Sequence, residues 1–152
     1  MDISPRLPPF NENVAKRYID AAVQTSGLPE FLGIRTTFVE PGRMRVQIPV
    51  DPKLVTRIGN MHGGVLSALC DHVLGSVCYL HMPDGYWAAT TEFKLNLLAP
   101  VSSGTVTAEA TIIAMTRTTA VVRIDVTNDG RPCCAAQGTV LILPPRQPKP
   151  TG

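Results

Sequence analysis

The central third of the chain contains a long apolar run that constrains the fold more than any other feature. Residues 60–80 read NMHGGVLSALCDHVLGSVCYL, with one acidic residue, Asp71, near the middle. At about 100° per residue, the large apolar side chains fall on one wide arc of a helix. They are Val65, Leu66, Leu69, Cys70, Val73, Leu74, Val77 and Leu80. Such a helix must be covered on most sides, which predicts a curved sheet wrapped around it.

The opposite arc of this helix is small or polar and contains Asp71. Its members are Gly64, Ser67, Ala68, Asp71, Gly75 and Cys78. An unpaired carboxylate in a buried apolar segment costs on the order of several kcal/mol, so Asp71 needs a partner or a use. Two interpretations follow: a tight helix contact across a dimer axis, with Asp71 hydrogen-bonded to its neighbours, or a functional site that a ligand can approach closely.

The rest of the chain predicts one short helix and six strands. An amphipathic helix is expected over 11–27, with Val14 and Tyr18 on its apolar face and Gly27 as its C-cap. Segment 33–50 alternates β-branched and polar residues around a turn. Four more strand patterns follow, over 87–100, 104–116, 119–130 and 133–143. This order predicts an α+β fold with a mostly antiparallel sheet.

Turn signals and prolines set the boundaries of these elements. Pro41-Gly42 and Asp129-Gly130 predict two tight hairpin turns. Half of the 14 prolines lie in two end segments, where they favour extended, poorly packed chain. We therefore expect a flexible N-terminal segment over 1–10, a single domain over 11–143, and a proline-rich disordered tail over 144–152.

Composition and charge exclude several classes of partner. The net charge is +2 and no basic residues cluster, so nucleic acid is not expected as a partner. The first ten residues lack the pattern of a signal peptide. The apolar run contains Asp71 and His72 and only reaches the lower edge of membrane-spanning length. We expect a cytoplasmic protein that does not insert into a membrane.

The four cysteines show no metal-ligand or redox spacing and are expected to be reduced packing residues. They are Cys70, Cys78, Cys133 and Cys134. An alternative makes Cys70 a nucleophile with His72 as its base. That arrangement is disfavoured because residues two positions apart on a helix do not face each other.

The motif His62-Gly63-Gly64 stands at the expected start of the long helix. The first backbone N–H groups of a helix lack internal partners and carry the positive end of its dipole. They can therefore stabilise a developing oxyanion. Asp71 lies about 12 Å further along the axis if the helix begins near Gly63. One helix cannot bring both groups to one carbon atom, so a second copy of the chain would supply the carboxylate.

These residues identify a family resemblance. HGGVLSALCD, preceded by RIGNM and followed by TTEFKLNLLAPVSSGTVTAEATIIAMTRTTAVVRIDVTNDGRPCCAAQGTVLIL, resembles the hotdog-fold acyl-CoA thioesterases of the phenylacetyl-CoA-pathway type. The similarity covers about residues 28–143, and GLPEFLGI resembles the opening of that family. The resemblance implies a long helix wrapped by an antiparallel sheet, and subunits that join edge to edge as homodimers and then as homotetramers.

The resemblance also implies roles for individual residues. Asp71 would be the general base or nucleophile, and the N–H of Gly63, with Gly64, would polarise the thioester carbonyl in the other subunit. His62 would orient the loop. Thr90, with Thr91 beside it, matches a position that helps to place water. Relatives often carry Asn where this chain has Thr56, and Asn60 is a candidate to replace that contact.

For the CoA phosphates, the resemblance points to the turn MTRTT, where Arg117 is the first candidate and Arg123 and Arg131 are alternatives. No resident cofactor or metal is expected, because the three histidines show no ligand spacing. A CoA thiol has a pKa of about 8.5, so its thiolate can leave without a strong general acid. A carboxylate and an oxyanion site can then suffice.

The predicted reaction is hydrolysis of an acyl- or aryl-CoA thioester to the free acid and CoA. Two alternatives stay open: a hotdog enoyl-CoA hydratase or dehydratase, and a non-catalytic domain that binds or senses acyl-CoA. The sequence does not predict the acyl group, because the walls of an acyl pocket come from several elements and both subunits.

Overall fold

A computed structural model of the protein describes residues 5–20 and 26–146. The helices are α1 (Glu12–Asp20), α2 (Gly27–Leu32) and α3 (Gly63–Ser76). Two 3-10 turns follow β2 and α3, at Pro52–Leu54 and Val77–His81. The strands are β1 (Arg35–Glu40), β2 (Arg43–Pro49), β3 (Trp87–Leu97), β4 (Thr105–Met115), β5 (Thr119–Asn128) and β6 (Arg131–Leu143).

The six strands form one antiparallel sheet in the order β1-β2-β4-β5-β6-β3. Both predicted hairpin turns are confirmed. Gly42 has a φ of 73°, and Asp129 and Gly130 have φ values of 47° and 85° between β5 and β6. Two successive positive φ values are typical of the two-residue turn that matches the right-handed twist of the strands.

Helix α3 packs against the sheet and contacts every strand from β2 to β6. Contact with five strands of one sheet requires the sheet to bend around the helix, and irregular pairings in β1, β3 and β4 allow strands to bend. This is the α+β hotdog architecture that the sequence predicts. The stretch Gly63–His81 is long and apolar enough to cross a membrane by length and composition, but it is the core helix of this fold.

The predicted core arc of α3 is confirmed. Val65 is half-buried and the other seven members are buried. On the small arc, Cys78 was predicted to face outward and is fully buried instead. Beyond Ser76 the turn Val77–His81 contacts α1 as well as β3 and β4, so chain outside the sheet covers a side chain that the helical arc alone would leave open. All four cysteines are free and buried, as expected.

The N-terminal part of the chain differs from the prediction in two ways. Gly27 was expected to cap the first helix, but it begins the short helix α2, which was not predicted. Residues 21–25 lie outside the described part. Residues 5–10, assigned from sequence to a flexible segment, place Leu7 and Phe10 against the core. The carbonyl of Pro8 accepts a hydrogen bond from Nδ1 of the buried His81 at 2.7 Å.

Candidate active site

His62 caps the start of α3. Its backbone is extended, with φ −64° and ψ 134°, and its Nδ1 accepts a hydrogen bond from the N–H of Gly64 at 2.9 Å. Because Nδ1 is the acceptor, the neutral ring carries its proton on Nε2. The ring is exposed. His62 therefore fixes the first turn of the helix and leaves an N–H donor free at the surface.

The two glycines after His62 differ in what their N–H groups contact. The N–H of Gly64 is used by His62, whereas the N–H of Gly63 has no acceptor among residues 5–20 and 26–146. A Cβ at Gly64 would lie 2.9 Å from Nδ1 of His62, so a side chain there would disturb the cap. The site therefore offers one free backbone donor at the positive end of the helix.

Hydrogen bonds hold the loop before His62 in place. Val55 and Met61 form a β-bridge, and the N–H of Thr56 donates to the carbonyl of Asn60 at 2.7 Å. The N–H of His62 donates to the carbonyl of Leu54 at 2.9 Å. Within the described chain, the buried hydroxyl of Thr56 has no hydrogen-bond partner. Thr56 lines the cleft that also contains His62 and Gly64, and Asn60 is not among the residues that line it.

Asp71 lies on the open arc of α3 and is exposed in the single chain. The sheet covers the opposite arc of the helix, so within one chain Asp71 stays on the open side, as its angular position predicts. No residue in the described ranges forms a hydrogen bond or an ion pair with Asp71. Gly63 is eight positions earlier, or about 12 Å along the axis. In one chain, the carboxylate and the free N–H are therefore well separated.

Thr90 lies on β3, beside α3. The strand passes close to the helix at two points. A Cβ atom at Gly63 would lie 2.9 Å from Leu97, and a Cβ atom at Gly75 would lie 4.0 Å from Ala88. Asp71 lies between these two points on the helix, and Thr90 lies between them on the strand. Thr90 pairs with the buried Val140, so its side chain points to the helix side of the sheet.

Thr91 occupies the irregular pairing between β3 and β6. Its hydroxyl donates to the carbonyl of Thr139 at 3.0 Å. The hydroxyl of Thr91 is therefore engaged within the sheet, and Thr90 is the threonine of this pair that faces the helix.

Comparison with known proteins agrees with this geometry. The family model of the thioesterase superfamily matches residues 58–135, about half of the chain. The chain belongs to the thioesterase superfamily.

Two relatives of this thioesterase-superfamily chain show how far the similarity extends. The proofreading thioesterase EntH of Klebsiella pneumoniae is 33% identical over 73% of this chain and 82% of its own. The 1,4-dihydroxy-2-naphthoyl-CoA hydrolase of Listeria monocytogenes is 30% identical over 80% of this chain and 99% of its own.

Solved structures share the fold. A thioesterase of Haemophilus influenzae superposes with a TM-score of 0.72 at 26% identity, over 82% of this chain and 96% of its own. A phenylacetic acid degradation-related protein of Ralstonia eutropha superposes with a TM-score of 0.76 at 20% identity, over 83% of this chain and 97% of its own. The second likeness concerns the fold alone. The resemblance found in the sequence is confirmed.

Arg117 does not lie near His62 in the thioesterase-superfamily domain. It is exposed in the turn between β4 and β5 and lines a cavity of about 800 Å³ with Phe10, His81 and other residues. His81 ends the 3-10 turn that continues α3, so Arg117 and His62 are at opposite ends of the central helix. Within one chain, the structure does not bring these two predicted site residues together.

The other two arginine candidates already have partners. Nε of Arg123 donates to the carboxylate of Asp125 at 3.0 Å, and Nη2 of Arg131 donates to the carbonyl of Pro100 at 2.6 Å. Pro100 lines a small cavity beside Gly63. Arg131 is therefore the nearer of these two arginines to the start of α3.

Cys70 is a poor nucleophile here. It is fully buried, and its hydrogen bond with Cys134, followed by burial, raises the pKa of its thiol. Burial lowers the pKa of His72, against the opposing effect of Asp71, and Nε2 of His72 has no partner in the described ranges. Across those ranges, no group of three His, Cys, Asp or Glu side chains could hold a metal ion.

One part of the site was not anticipated from sequence. Helix α2 and the turn Pro52–Leu54 form an apolar cleft next to His62 and Gly64. Pro29 in the first turn of α2 and Gly33 just after it, with a φ of 71°, were the available signals for this helix.

Proposed function

We propose that the protein hydrolyses acyl- or aryl-CoA thioesters to the free acid and CoA. The observation that carries this proposal is the unpaired N–H of Gly63 at the positive end of α3. A thioester carbonyl becomes an oxyanion when its carbon is attacked, and a fixed backbone donor stabilises that charge. The cap formed by His62 holds this donor in place before substrate binds.

The carboxylate of Asp71 supplies the second half of the chemistry. As a general base it takes a proton from water, the water oxygen attacks the carbonyl carbon, and the carbon–sulfur bond breaks to release CoA thiolate. As a nucleophile it attacks the carbon itself, the carbon–sulfur bond breaks to release CoA thiolate, and water then hydrolyses the resulting anhydride to the free acid and the Asp71 carboxylate. In either role, the low pKa of a thiol, about 8.5, removes the need for a strong acid. We assign the attacking water to Thr90, whose side chain is on the helix side of the sheet.

We infer that each site combines two subunits, because Gly63 and Asp71 of one chain are about 12 Å apart along the helix. Leu97 and Ala88 of β3 lie close to Gly63 and Gly75 of α3, and within the described chain β3 has one strand partner, β6, which leaves its other edge unpaired. Leu97 and Leu98 at this edge are 56% and 57% exposed. A second copy added at this edge would cover them and complete the two sites of a homodimer. Two such dimers would form the homotetramer expected from the family resemblance.

Arg117 fits this proposal as a contact of the other subunit with the CoA phosphates. It is far from Gly63 of its own chain, and its guanidinium is exposed and can bind phosphate in a bidentate manner.

The names of two relatives, a CoA thioester hydrolase and a thioesterase, favour hydrolysis over hydration. The reaction uses no resident cofactor. Four buried, free cysteines suit the reducing cytoplasm.

The test is release of CoA thiol from phenylacetyl-, benzoyl-, short-chain and long-chain acyl-CoA, with wild type beside Asp71→Asn. We expect wild-type turnover on at least one substrate and a loss of about 10²–10⁴-fold in kcat for the variant. Because Asp71 forms no ion pair within the described chain and asparagine has nearly the same shape, the variant should keep the wild-type unfolding temperature. Full activity in Asp71→Asn would refute its role. Binding of all four substrates without turnover would indicate an acyl-CoA-binding domain.

A further inference from the structure

The ring of His81 connects three parts of the fold that are far apart in sequence. His81 ends the turn Val77–His81 and is 4% exposed. Its Nδ1 is 2.7 Å from the carbonyl oxygen of Pro8, and its Nε2 accepts a hydrogen bond from the N–H of Gly42 at 2.9 Å. Pro8 precedes α1, and Gly42 lies in the turn between β1 and β2. One buried ring thus joins the N-terminal residues, the end of the central helix and the first hairpin.

The two partners of His81 fix the charge of its ring. A carbonyl oxygen can only accept, so Nδ1 carries a proton, and a backbone N–H can only donate, so Nε2 carries none. The ring in this position is therefore neutral. A second proton on Nε2 would point at the N–H of Gly42, and the two donors would repel each other. Protonation of the ring must break this hydrogen bond.

The N-terminal strap, residues 7–11, is attached to the rest of the fold by few polar contacts. In the described part of the chain, two hydrogen bonds join the strap to residues outside α1. One is the bond between Pro8 and His81, and the other runs from the N–H of Asn11 to the carbonyl of Leu80 at 2.8 Å. Leu80 and His81 are adjacent, so both attachments are at the same point of the fold.

The apolar contacts of the strap meet at this point as well. The ring centre of Phe10 is 5.7 Å from that of His81. Leu7 lies so close to Gly42 that a Cβ atom there would be 2.6 Å from a methyl carbon of Leu7. Cavities of about 520 and 800 Å³ lie beside the strap, and Phe10 and His81 line both. The strap is thus bordered by open space, and its attachment depends on the positions of His81 and Gly42.

The charges around His81 give a protonated ring no partner in this position. None of the ion pairs among the described residues involves His81. Glu12 of α1, Tyr86 and Arg117 line the larger cavity, and Arg43 of β2 lines the smaller one. Within the described residues, α3, β3 and β4 add no titratable side chain to either cavity. One carboxylate therefore faces this region together with two guanidinium groups, which oppose a positive ring.

We propose that protonation of His81 releases the N-terminal strap and loosens α1, while α3 and the sheet stay folded. When the strap detaches, Nε2 loses the N–H of Gly42 and takes up a proton from water, so acid favours the detached state. The change extends to α1 because the side chain of Asn11 caps this helix, accepting a hydrogen bond from the N–H of Val14 at 3.1 Å. The strap and the candidate active site are at opposite ends of α3, so the inference does not depend on the proposed hydrolysis.

The test measures hydrogen-exchange protection factors of single amides by NMR at pH 7.5 and pH 5.5, corrected for the intrinsic exchange rate at each pH. An imidazole in water takes up its second proton near pH 6.5. The protection of the Asn11 and Gly42 amides in wild type should therefore fall about tenfold between these pH values. At both pH values these amides should be less protected than that of the buried Val122 in β5, because release of the strap is a local opening.

Two variants separate His81 from the other buried histidine. In His81→Gln, the amide oxygen can still accept from Gly42 and no group titrates, so the protection of Asn11 should be equal at the two pH values. His72→Gln is the matched control and should keep the tenfold fall.

Three results would overturn the proposal. One is a protection of Asn11 in wild type that does not change with pH, and another is a fall that His72→Gln abolishes. The third is exchange of Asn11 in step with Val122 at equal protection, which would mean that the strap opens only when the whole domain unfolds. Wild type and His72→Gln suffice for these three comparisons even if His81→Gln does not fold.

Discussion

Gly63 and Gly64 are adjacent, yet their backbone N–H groups have different uses. His62 takes the N–H of Gly64 for its cap, whereas the N–H of Gly63 has no acceptor in the part of the chain that the structure describes. Because Gly63 is in the first turn of the helix, a proline at this position would remove its N–H and still suit the helix. Proline is favoured at the first helical position, and the extended backbone of His62 suits the residue before a proline.

Gly63→Pro should therefore remove the oxyanion donor without breaking α3. We expect a fall of about 10²–10³-fold in kcat, the typical effect of deleting one oxyanion donor, with stability within about 1 kcal/mol of wild type. Gly63→Ala keeps the N–H and is the control; its Cβ would meet only the end of the flexible Leu97 side chain, at 2.9 Å. Thiol release and thermal unfolding measure both effects. Similar losses in the two variants would point to crowding instead of a lost donor.

His72 should make stability depend on pH. Burial lowers its pKa below the ordinary value of 6.5, so the folded protein favours the neutral ring. The unfolded chain then takes up the proton first as pH falls. The stability that depends on a neutral His72 is therefore fully present above about pH 6.5. It is lost as pH falls from there through the lower pKa that His72 has in the folded protein.

Urea unfolding at pH 7.5 and pH 5.5 checks this. The midpoint of wild type should fall more between these pH values than that of His72→Gln, which carries no titrating group. Parallel shifts in the two proteins would show that His72 is not the cause.

Part of the candidate site could be predicted from the sequence because it depends on local periodicity. The angular position of Asp71 follows from the helix repeat, and the free N–H of Gly63 follows from its place at the helix start. The choice between Thr56 and Asn60 depended on how the loop closes, which no local pattern encodes.

At the level of elements, the strands and hairpins were predictable and the helix ends were not. The alternation of β-branched with polar residues, together with two turn signals, was enough to predict strands β1 to β6. The burial of Cys78 had no local sequence signal, because it depends on how the turn Val77–His81 packs against α1, which is distant in sequence. Helix α2 was missed because six residues are too few for an apolar period.

The close packing of β6 against β3 and α3 depends on the absence of a side chain at Gly138. A Cβ there would lie 2.5 Å from the carbonyl oxygen of Glu92 and 2.7 Å from Leu74 of α3. Gly138→Ala should lower the free energy of unfolding by about 1–3 kcal/mol or more, because backbone and core atoms must shift. Gly75→Ala is the matched control, since its nearest contact, Ala88, is 4.0 Å away and alanine favours helix. Chemical unfolding should show Gly138→Ala destabilised and Gly75→Ala unchanged or stabilised; equal effects would contradict the close packing.

At the level of the whole molecule, the account depends on two chains sharing each site. One wrapped helix places the N–H of Gly63 and the carboxylate of Asp71 about 12 Å apart along its axis. The exposed edge of β3 offers the surface on which a second copy can bring them together. In a symmetric dimer, each site would use Gly63 of one subunit and Asp71 of the other.

The most direct test is the activity of purified mixed dimers that carry Asp71→Ala in one subunit and Gly63→Pro in the other. A shared site predicts one intact site out of two, or about half of the wild-type rate per dimer. The matched control places both substitutions in one subunit beside a wild-type partner, and a shared site predicts almost no activity from it. The reverse pattern, with the first dimer inactive and the control about half active, would show that each chain builds its site alone and would contradict the account.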